Sequence, residues 1–232
     1  MSDKVVLAYS GGLDTAVAVK WLEEKYSLKV VTLTVDIGNV PDLEAIRQKA
    51  LKVGATKALV LDARKSFIES FVFPALQANA VYEGQYPLAT ALGRPLIARL
   101  LVETARKERA KVVAHGCTGK GNDQVRIDVS VAALAPELKV IAPAREWNMT
   151  REQTIEYARA HDIPVPITRA SPYSIDENLW GRSIECGVLE DTWNEPPYDV
   201  FLWTKSPQKT PARPAYLAVS YTHLTLPTKR IV

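Results

Sequence analysis

The chain has 232 residues, enough for one large domain or for one domain and part of a second. Hydrophobic residues make up 47% and charged residues 24%, values that are ordinary for a folded protein and that exclude general disorder. The net charge of +3 is too small to indicate a nucleic-acid partner. Because no uncharged stretch reaches the roughly 18 residues of a membrane span and no secretion signal follows Met1, we expect a cytoplasmic protein that binds neither nucleic acid nor membrane.

Short runs rich in β-branched residues alternate with helical patterns through the first two thirds of the chain. They predict strands over residues 4–9, 29–36, 58–61, 111–115 and 140–142. They predict helices over residues 15–26, 42–53, 66–80, 94–109, 123–134 and 150–160, with Pro95 in the first turn of its helix. Strands and helices that alternate on short connections are typical of a parallel sheet covered on both faces, so we predict a doubly wound α/β fold.

The pattern changes after Pro164, where the sequence becomes rich in proline and tryptophan. It predicts few regular elements that could bury Trp180, Trp193 and Trp203, and we expect this part to be frayed. We therefore expect a first domain over residues 1–165 and the beginning of a second over residues 166–219. Residues 220–232 match nothing upstream in pattern, and we suspect that they are a non-native tail.

The first candidate site is the loop Ser10-Gly11-Gly12-Leu13-Asp14-Thr15, which follows the first strand and opens the first helix. Two consecutive glycines let backbone N–H groups approach an anion, the helix N-terminus adds a positive dipole end, and the two hydroxyl groups are further donors. The loop is neither a Walker A motif nor a dinucleotide fingerprint. It resembles the pyrophosphate-binding loop of the N-type ATP pyrophosphatases, which cleave ATP between its α and β phosphates.

The second candidate site is the stretch from His115 to Arg126, which follows the fourth strand. Thr118, Asn122 and Asp123 offer a hydroxyl, an amide and a carboxylate group, and Arg126 lies one helical turn after Asp123. A carboxylate can bind an ammonium group and an arginine can bind a carboxylate, so this stretch predicts an amino-acid site. We expect His115, at the end of the strand, to be structural.

Six strings, AYSGGLDT, VYEG, GCTGKGNDQVR, APAREW, PYSIDENLWGRS and ECGVLED, occur in this order, and with them the chain resembles the argininosuccinate synthases from Val5 to about Trp203. The resemblance implies a Rossmann-like domain of the adenine-nucleotide α-hydrolase type, followed by the start of a synthetase domain. It implies a ligase of arginine biosynthesis and the urea cycle that activates citrulline with Mg²⁺-bound ATP and joins the citrullyl-adenylate to aspartate, releasing AMP and pyrophosphate. It also implies a homotetramer for the whole protein. Family members continue well beyond this C-terminus, so we expect the chain to be a fragment.

The family pattern divides the expected contacts among three ligands. ATP would contact Ala8, Tyr9, Ser10, Gly11, Gly12, Leu13, Asp14, Thr15, Ala16, Val35 and Gly116. Aspartate would contact Thr118, Asn122 and Asp123. Citrulline would contact Tyr86, Asn122, Arg126, Ser174 and Ser183. Asp14 is the candidate catalytic residue, and the sequence assigns no metal ligands.

Two residues depart from the family pattern, because Ala16 and Ala91 stand where the family usually has serine. Each departure removes one hydroxyl group. A net hydrogen bond of roughly 1 kcal/mol corresponds to a several-fold loss of affinity, so we expect weakened binding rather than none.

Two other functions stay open at this point. One is a tRNA-thiolating ATP pyrophosphatase that uses Cys117 and Cys186 for sulfur transfer. A low pKa of the Cys117 thiol would favour it, whereas an inert thiol and the small net charge count against it. The other is a non-catalytic module that binds adenine nucleotides.

Overall fold

Within the part of the chain that the computed structural model describes, residues 3–38, 42–119, 121–164, 173–216 and 218, five strands form one parallel sheet. The strands are β1 Lys4–Ala8, β2 Lys29–Asp36, β3 Lys57–Asp62, β4 Val112–Ala114 and β5 Lys139–Ile141. Their order in the sheet is β3-β2-β1-β4-β5, and every pair is parallel. The predicted parallel sheet is therefore confirmed.

Helices cover both faces of this sheet. They are α1 Leu13–Tyr26, α2 Leu43–Val53, α3 Arg64–Phe67, α4 Phe73–Gln77, α5 Ala89–Glu108, α6 Asp123–Leu134, α7 Pro143–Glu146 and α8 Arg151–Ala160. Val5 and Leu7 of β1 point into the core formed with α1 and α8, whereas Val6 points into the core formed with α5 and α6. Successive strand residues face opposite sides, so one apolar strand is buried on both faces and the doubly wound fold is confirmed.

Local side chains define where several helices begin and end. The Asp42 carboxylate accepts a hydrogen bond of 2.8 Å from the N–H of Ala45 and so caps α2, and Gly54 ends that helix with a φ of 116°. Thr150 and Gln153 form a reciprocal capping box at the start of α8. The predicted boundaries of these two helices hold to within one residue.

The prediction that a helix begins at residue 94 with Pro95 in its first turn is wrong. α5 begins five residues earlier, at Ala89, and Pro95 lies inside it. An interior proline costs the helix the hydrogen bond to the residue four positions earlier, here Ala91. Residues on both sides of Pro95, including Ala89 and Leu96, are buried against the core, and this packing holds the helix together across the proline.

The helix predicted over residues 66–80 is divided into three parts. α3 passes into a π-helical turn, Ile68–Val72, which passes into α4 and ends at Gln77. Pro74 lacks an N–H and would crowd the carbonyl of Ser70 in a regular α-helix. The wider turn directly before Pro74 gives that carbonyl room.

The expectation of few regular elements after Pro164 is also wrong. β6 Ser174–Asn178 and β7 Gly181–Glu185 form an antiparallel hairpin that packs on α5, followed by 3₁₀ turns at Gly187–Glu190, Tyr198–Val200 and Pro207–Lys209. Trp180, in the hairpin turn, packs beside Ile37 and Phe67, whereas Trp193 and Trp203 are 95% and 57% exposed, as expected. The hairpin was missed because polar residues line the face that meets α5, so the apolar alternation of an ordinary strand is lacking.

Two expectations fall wholly or partly outside the described residues: the tail over residues 220–232 and the domain boundary near residue 165. Among the helices that the structure describes, none has the length and apolar character needed to cross a membrane.

Candidate functional site

The candidate site lies where the strand order reverses, between β1 and β4. The chain runs outward from β1 through β2 to β3 and then returns to the other side of β1 to form β4. Leu7 pairs with Ala114, so the loops after these two strands leave the sheet side by side. A Cβ atom on Gly116 would lie 2.8 Å from Cγ2 of Thr15, which shows how closely the loops approach. Crevices of this kind bind ligands in doubly wound sheets, and both predicted loops open into it.

The loop after β1 presents amide and hydroxyl groups in one small region. Gly12 occupies the N-cap position of α1 without a side-chain cap, so N–H groups of the first helical turn stay free for an anion. The Gly12 N–H donates to Ser10 Oγ at 3.3 Å, and Ser10 Oγ lies 3.2 Å from Thr15 Oγ1. This arrangement can bind phosphate oxygens.

Other expected ATP contacts of this loop lie in the core. Tyr9 is 3% exposed, and burial raises the pKa of its hydroxyl to about 12. Its backbone N–H donates to the carbonyl of Leu33 at 2.9 Å, and its carbonyl accepts from Thr34 Oγ1 at 2.9 Å. Leu13 and Ala16 are buried as well. These residues anchor the loop, and their contact with ATP stays a prediction.

An apolar wall follows on the side of β2. Ala8, Val35 and Cys117 pack against one core cluster, so the ends of β1 and β2 and the loop after β4 share a surface. Beside it, the buried carboxylate of Asp36 accepts a hydrogen bond of 2.8 Å from the N–H of Gly38 and holds the turn after β2. An apolar surface beside an anion loop suits an adenine ring, which agrees with the expected ATP contacts of Ala8 and Val35.

His115 holds the loop after β4 in place. The N–H of Cys117 donates to Nδ1 of His115 at 3.2 Å, which leaves the proton on Nε2 to be donated to Asp128 of α6 at 2.8 Å. Burial lowers the pKa of the imidazole, although Asp128 opposes that shift. His115 is a neutral structural residue in this arrangement.

A network of two arginines and two aspartates joins the loop after β4 to α5 and the hairpin. Oδ2 of Asp123 accepts from Nε of Arg94 at 2.8 Å, and Oδ1 accepts from Arg126 at 2.7 Å. Arg94 also donates to Oδ1 of Asp176 at 2.8 Å. Burial works to lower the pKa of Arg94, but the carboxylates of Asp176 and Asp123 outweigh it and raise that pKa. Asp123 is thereby held in one orientation at the mouth of the crevice.

The hairpin brings together two residues that the family pattern assigns to citrulline. The Tyr86 hydroxyl lies 3.1 Å from Ser183 Oγ, although 97 positions separate them in the chain. Thr90 connects both, because its Oγ1 donates to Ser183 at 3.3 Å and its N–H donates to Tyr86 at 3.2 Å. This polar cluster packs the hairpin on α5.

Four expected contacts stand apart from these networks. Thr118, Asn122 and Ser174 are exposed, and their side chains form no hydrogen bond to any residue within the described ranges. Asp14 is partly exposed in the first turn of α1, where its carboxylate lies 3.4 Å from Arg151. The first three are free to bind a ligand.

Sequence reasoning missed Arg94, Asp176 and Thr90. Arg94 is one of six charged residues in α5, and its place between Gly93 and Pro95 carries no specific signal. Asp176 lies within a string that was matched to the family, but nothing in the string indicates its partner.

The described residues also bear on metal and thiol chemistry. They contain no group of three or more His, Cys, Asp or Glu side chains placed to hold a metal ion. Burial raises the pKa of the Cys117 thiol to about 11, which makes it a poor nucleophile. The inert thiol counts against the tRNA-thiolating alternative.

This fold and site define the class: a doubly wound α/β domain with an anion loop at its switch point, the class that binds nucleotides. Residues 4–164 match the model of the arginosuccinate synthase N-terminal HUP domain, and residues 173–228 match that of the arginosuccinate synthase C-terminal domain. The chain belongs to the argininosuccinate synthase family.

Curated relatives agree with this assignment. The chain is 62% identical over 221 residues to the argininosuccinate synthase of Dehalococcoides mccartyi, covering 95% of this chain and 54% of that one. It is 62% identical over 219 residues to the enzyme of the same name from Dictyoglomus turgidum, covering 94% and 54%. The chain thus spans about half the length of the curated relatives it matches. One solved structure is also similar: a predicted subunit of tRNA methyltransferase from Methanocaldococcus jannaschii. The match covers 68% of this chain and 74% of that one, with a TM-score of 0.45 and 17% sequence identity. This similarity is too distant to bear on function.

Proposed function

We propose that this chain is the ATP-binding part of an ATP-dependent ligase that condenses citrulline with aspartate to form argininosuccinate. AMP and pyrophosphate are the other products. One observation carries the proposal: the loops after β1 and β4 meet at the switch point of the sheet, where Gly116 approaches Thr15, and the loop after β4 leads directly into α6, which begins with Asp123 in contact with Arg126. In this proposal an anion site on the first loop and an amino-acid site on the second would adjoin, as the reaction requires.

In this proposal, ATP enters as its Mg²⁺ complex with its phosphates on the loop after β1. The free N–H groups at the start of α1 and the hydroxyls of Ser10 and Thr15 hold the phosphate oxygens. The Mg²⁺ ion needs few protein ligands, because phosphate oxygens and water fill most of its coordination shell. Asp14 is the candidate catalytic residue, and its ion pair with Arg151 holds its carboxylate at the edge of the loop.

The first chemical step joins citrulline to the α-phosphorus of ATP. The ureido oxygen of citrulline attacks the phosphorus, the bond to the leaving oxygen breaks, and pyrophosphate departs with its electron pair. A ureido oxygen is a weak nucleophile, so the site must contribute proximity and stabilisation of the leaving charge. Tyr86, Ser183 and Arg126 would orient citrulline, with the exposed hydroxyl of Ser174 and the amide of Asn122 as further contacts.

In the second step the amine of aspartate attacks the ureido carbon of the citrullyl-adenylate. For this attack the bound ammonium group first releases one proton to water, so that the neutral amine is the nucleophile. The bond from the carbon to the AMP oxygen then breaks, AMP leaves with the electron pair, and the new C–N nitrogen releases a second proton to water as argininosuccinate forms. The Asp123 carboxylate would bind the amine in its ammonium form, with Thr118 and Asn122 as neighbouring contacts. Because Arg94 and Arg126 each hold one oxygen of Asp123, the carboxylate is preorganised for that contact.

The experiment that tests the proposal uses the purified 232-residue chain. Calorimetric titration measures binding of Mg-ATP, and assays of AMP and pyrophosphate measure turnover with citrulline and aspartate. We expect measurable Mg-ATP binding and no detectable citrulline- and aspartate-dependent release of AMP, because the rest of the relatives' length is absent. Lack of Mg-ATP binding would contradict the proposed site, and robust turnover would contradict our view that the missing part completes it.

Our remaining expectations for the parent protein belong to the same proposal. We propose a cytoplasmic homotetramer that binds neither nucleic acid nor membrane, a domain boundary near residue 165, and a non-native tail from residue 220. The match to the C-terminal family model continues to residue 228 and so runs into that suspected tail. Light scattering on the full-length protein tests the oligomer, and the genomic sequence beyond the codon for Ser220 tests the tail.

A further inference from the structure

A lysine of α2 contacts the backbone of the anion loop, Ser10–Thr15. Nζ of Lys49 donates a hydrogen bond of 2.7 Å to the carbonyl oxygen of Gly11, although 38 positions separate the two residues. Lys49 is partly buried, and it pairs with no carboxylate among the residues that the structure describes. The ammonium group therefore directs its charge toward the loop.

The same helix holds Gly11 by direct packing. Gly11 has a φ of 80°, which favours glycine, and a Cβ atom there would lie 3.0 Å from Cγ1 of Ile46. Ile46 and Lys49 are three positions apart, so they lie on one face of α2. α2 thus supports the loop through an apolar contact and a charged one.

The peptide between Gly11 and Gly12 connects Lys49 to the anion side of the loop. In a trans peptide the C=O and the N–H point in opposite directions, and the described residues contain no cis peptide. Lys49 holds the carbonyl on one side, so the N–H of Gly12 points to the other side, where it meets Ser10 Oγ at 3.3 Å. A cation on a carbonyl also polarises the peptide and makes its N–H a stronger donor.

We propose that Lys49 is a positioning residue for pyrophosphate binding: it fixes the peptide after Gly11 so that the Gly12 N–H, together with the Ser10 hydroxyl that it contacts, faces the pyrophosphate group of ATP. The inference rests on the proposed function and deepens it. Because the effect passes through one peptide of the anion loop, it acts on ligands that carry a pyrophosphate group and not on those that lack one.

Titration calorimetry on the 232-residue chain tests this with three probes: Mg-ATP, magnesium pyrophosphate and AMP. For Lys49→Met we expect the dissociation constants for Mg-ATP and pyrophosphate to rise about tenfold, as for the loss of one charge-assisted hydrogen bond, with that for AMP changed less than about twofold. Lys49→Arg keeps a cationic donor and should recover most of the loss. Lys52→Met is the matched control, since it removes the same charge from an exposed position of the same helix.

Three results would overturn the proposal. Unchanged affinity of Lys49→Met for pyrophosphate would show that the carbonyl needs no cation. An equal loss of affinity for AMP would indicate a general structural role of Lys49. An equal loss of affinity in Lys52→Met would show that only the net charge of the chain matters. If Lys49→Met does not fold, Lys49→Gln replaces it, because glutamine keeps an N–H donor without the charge. The comparison is the same: the loss of affinity for Mg-ATP and pyrophosphate against the loss for AMP. Failure of the unsubstituted chain to bind Mg-ATP would instead overturn the proposed function, and this inference with it.

Discussion

Replacing Gly12 by valine should weaken phosphate binding at the anion loop much more than it lowers the stability of the fold. The backbone of Gly12 has φ −71° and ψ 171°, an extended conformation that valine readily adopts. A Cβ atom there would meet only Ser10 Oγ, at 3.3 Å, on an exposed part of the loop. The folded chain can therefore accept the side chain, which then occupies the space where phosphate oxygens would approach.

The structure yields different magnitudes for binding and for stability. Losing one hydrogen bond to a charged group costs about 1.5–3 kcal/mol, so the affinity for Mg-ATP should fall about 10- to 100-fold. Glycine is a better N-cap than valine. Gly12→Val should therefore lower the free energy of unfolding by about 1 kcal/mol, which corresponds to a fall of about 2–4 °C in melting temperature. Gly11→Ala is the contrasting variant. Gly11 has a φ of 80°, and a residue with a side chain loses about 1–2 kcal/mol of stability in that conformation. The close contact of the new Cβ atom with Ile46 adds to this loss.

Calorimetric titration with Mg-ATP and thermal unfolding of the same preparations measure both quantities. We expect Gly12→Val to lose mainly affinity and Gly11→Ala to lose more stability than Gly12→Val does. Unchanged affinity in a folded Gly12→Val chain would refute the assignment of this loop to phosphate.

Three further predictions concern the second loop and the hairpin. In a full-length context, Asp123→Asn should raise the KM for aspartate at least about tenfold while ATP binding is kept; equal losses for both would show a purely structural role. Burial lowers the pKa of His115, so below about pH 6.5 the unfolded state binds a proton that the folded state does not bind. The free energy of unfolding should therefore fall as pH drops below about 6.5, by up to about 1.4 kcal/mol per pH unit. His115→Gln should flatten that pH dependence in urea titrations, and an unchanged slope would contradict the assignment. Trp180→Phe removes the indole N–H that donates to the carbonyl of Pro87 at 2.7 Å and should lower the unfolding free energy by about 1 kcal/mol, whereas exposed Trp193→Phe should not; equal effects would show that the hairpin is not docked.

The sequence predicts the sheet, and the meeting of the loops after β1 and β4, for physical reasons. Buried parallel strands are rich in β-branched residues, so β1, β2 and β4 stand out in the sequence, although β2 also buries Thr32, Thr34 and Asp36. Their carboxyl ends share one edge of the sheet, so the loops that follow β1 and β4 had to meet once the topology was right. Both inferences use only local pattern and general rules of topology.

Contacts between distant parts of the chain could not be predicted in the same way. Arg94 and Asp176 are 82 positions apart, and a single charge in a helix does not indicate its partner. The hairpin is held to α5 by hydroxyl and amide groups such as those of Ser183 and Asn178, which leave no apolar period. Pro95 predicts the first turn of a helix, because that is the usual position of proline in helices, whereas the buried residues on both sides of it keep it in the interior of α5.

The most direct test of the central claim, that this chain is the ATP-binding part of a ligase, joins residues 1–219 to the C-terminal part of the Dehalococcoides mccartyi relative. The measurement is citrulline- and aspartate-dependent release of AMP and pyrophosphate, with the intact relative as positive control. We predict turnover by the chimera that Gly12→Val sharply reduces. A folded chimera that binds Mg-ATP but releases no AMP with both substrates present would contradict the account and would favour a non-catalytic nucleotide-binding module.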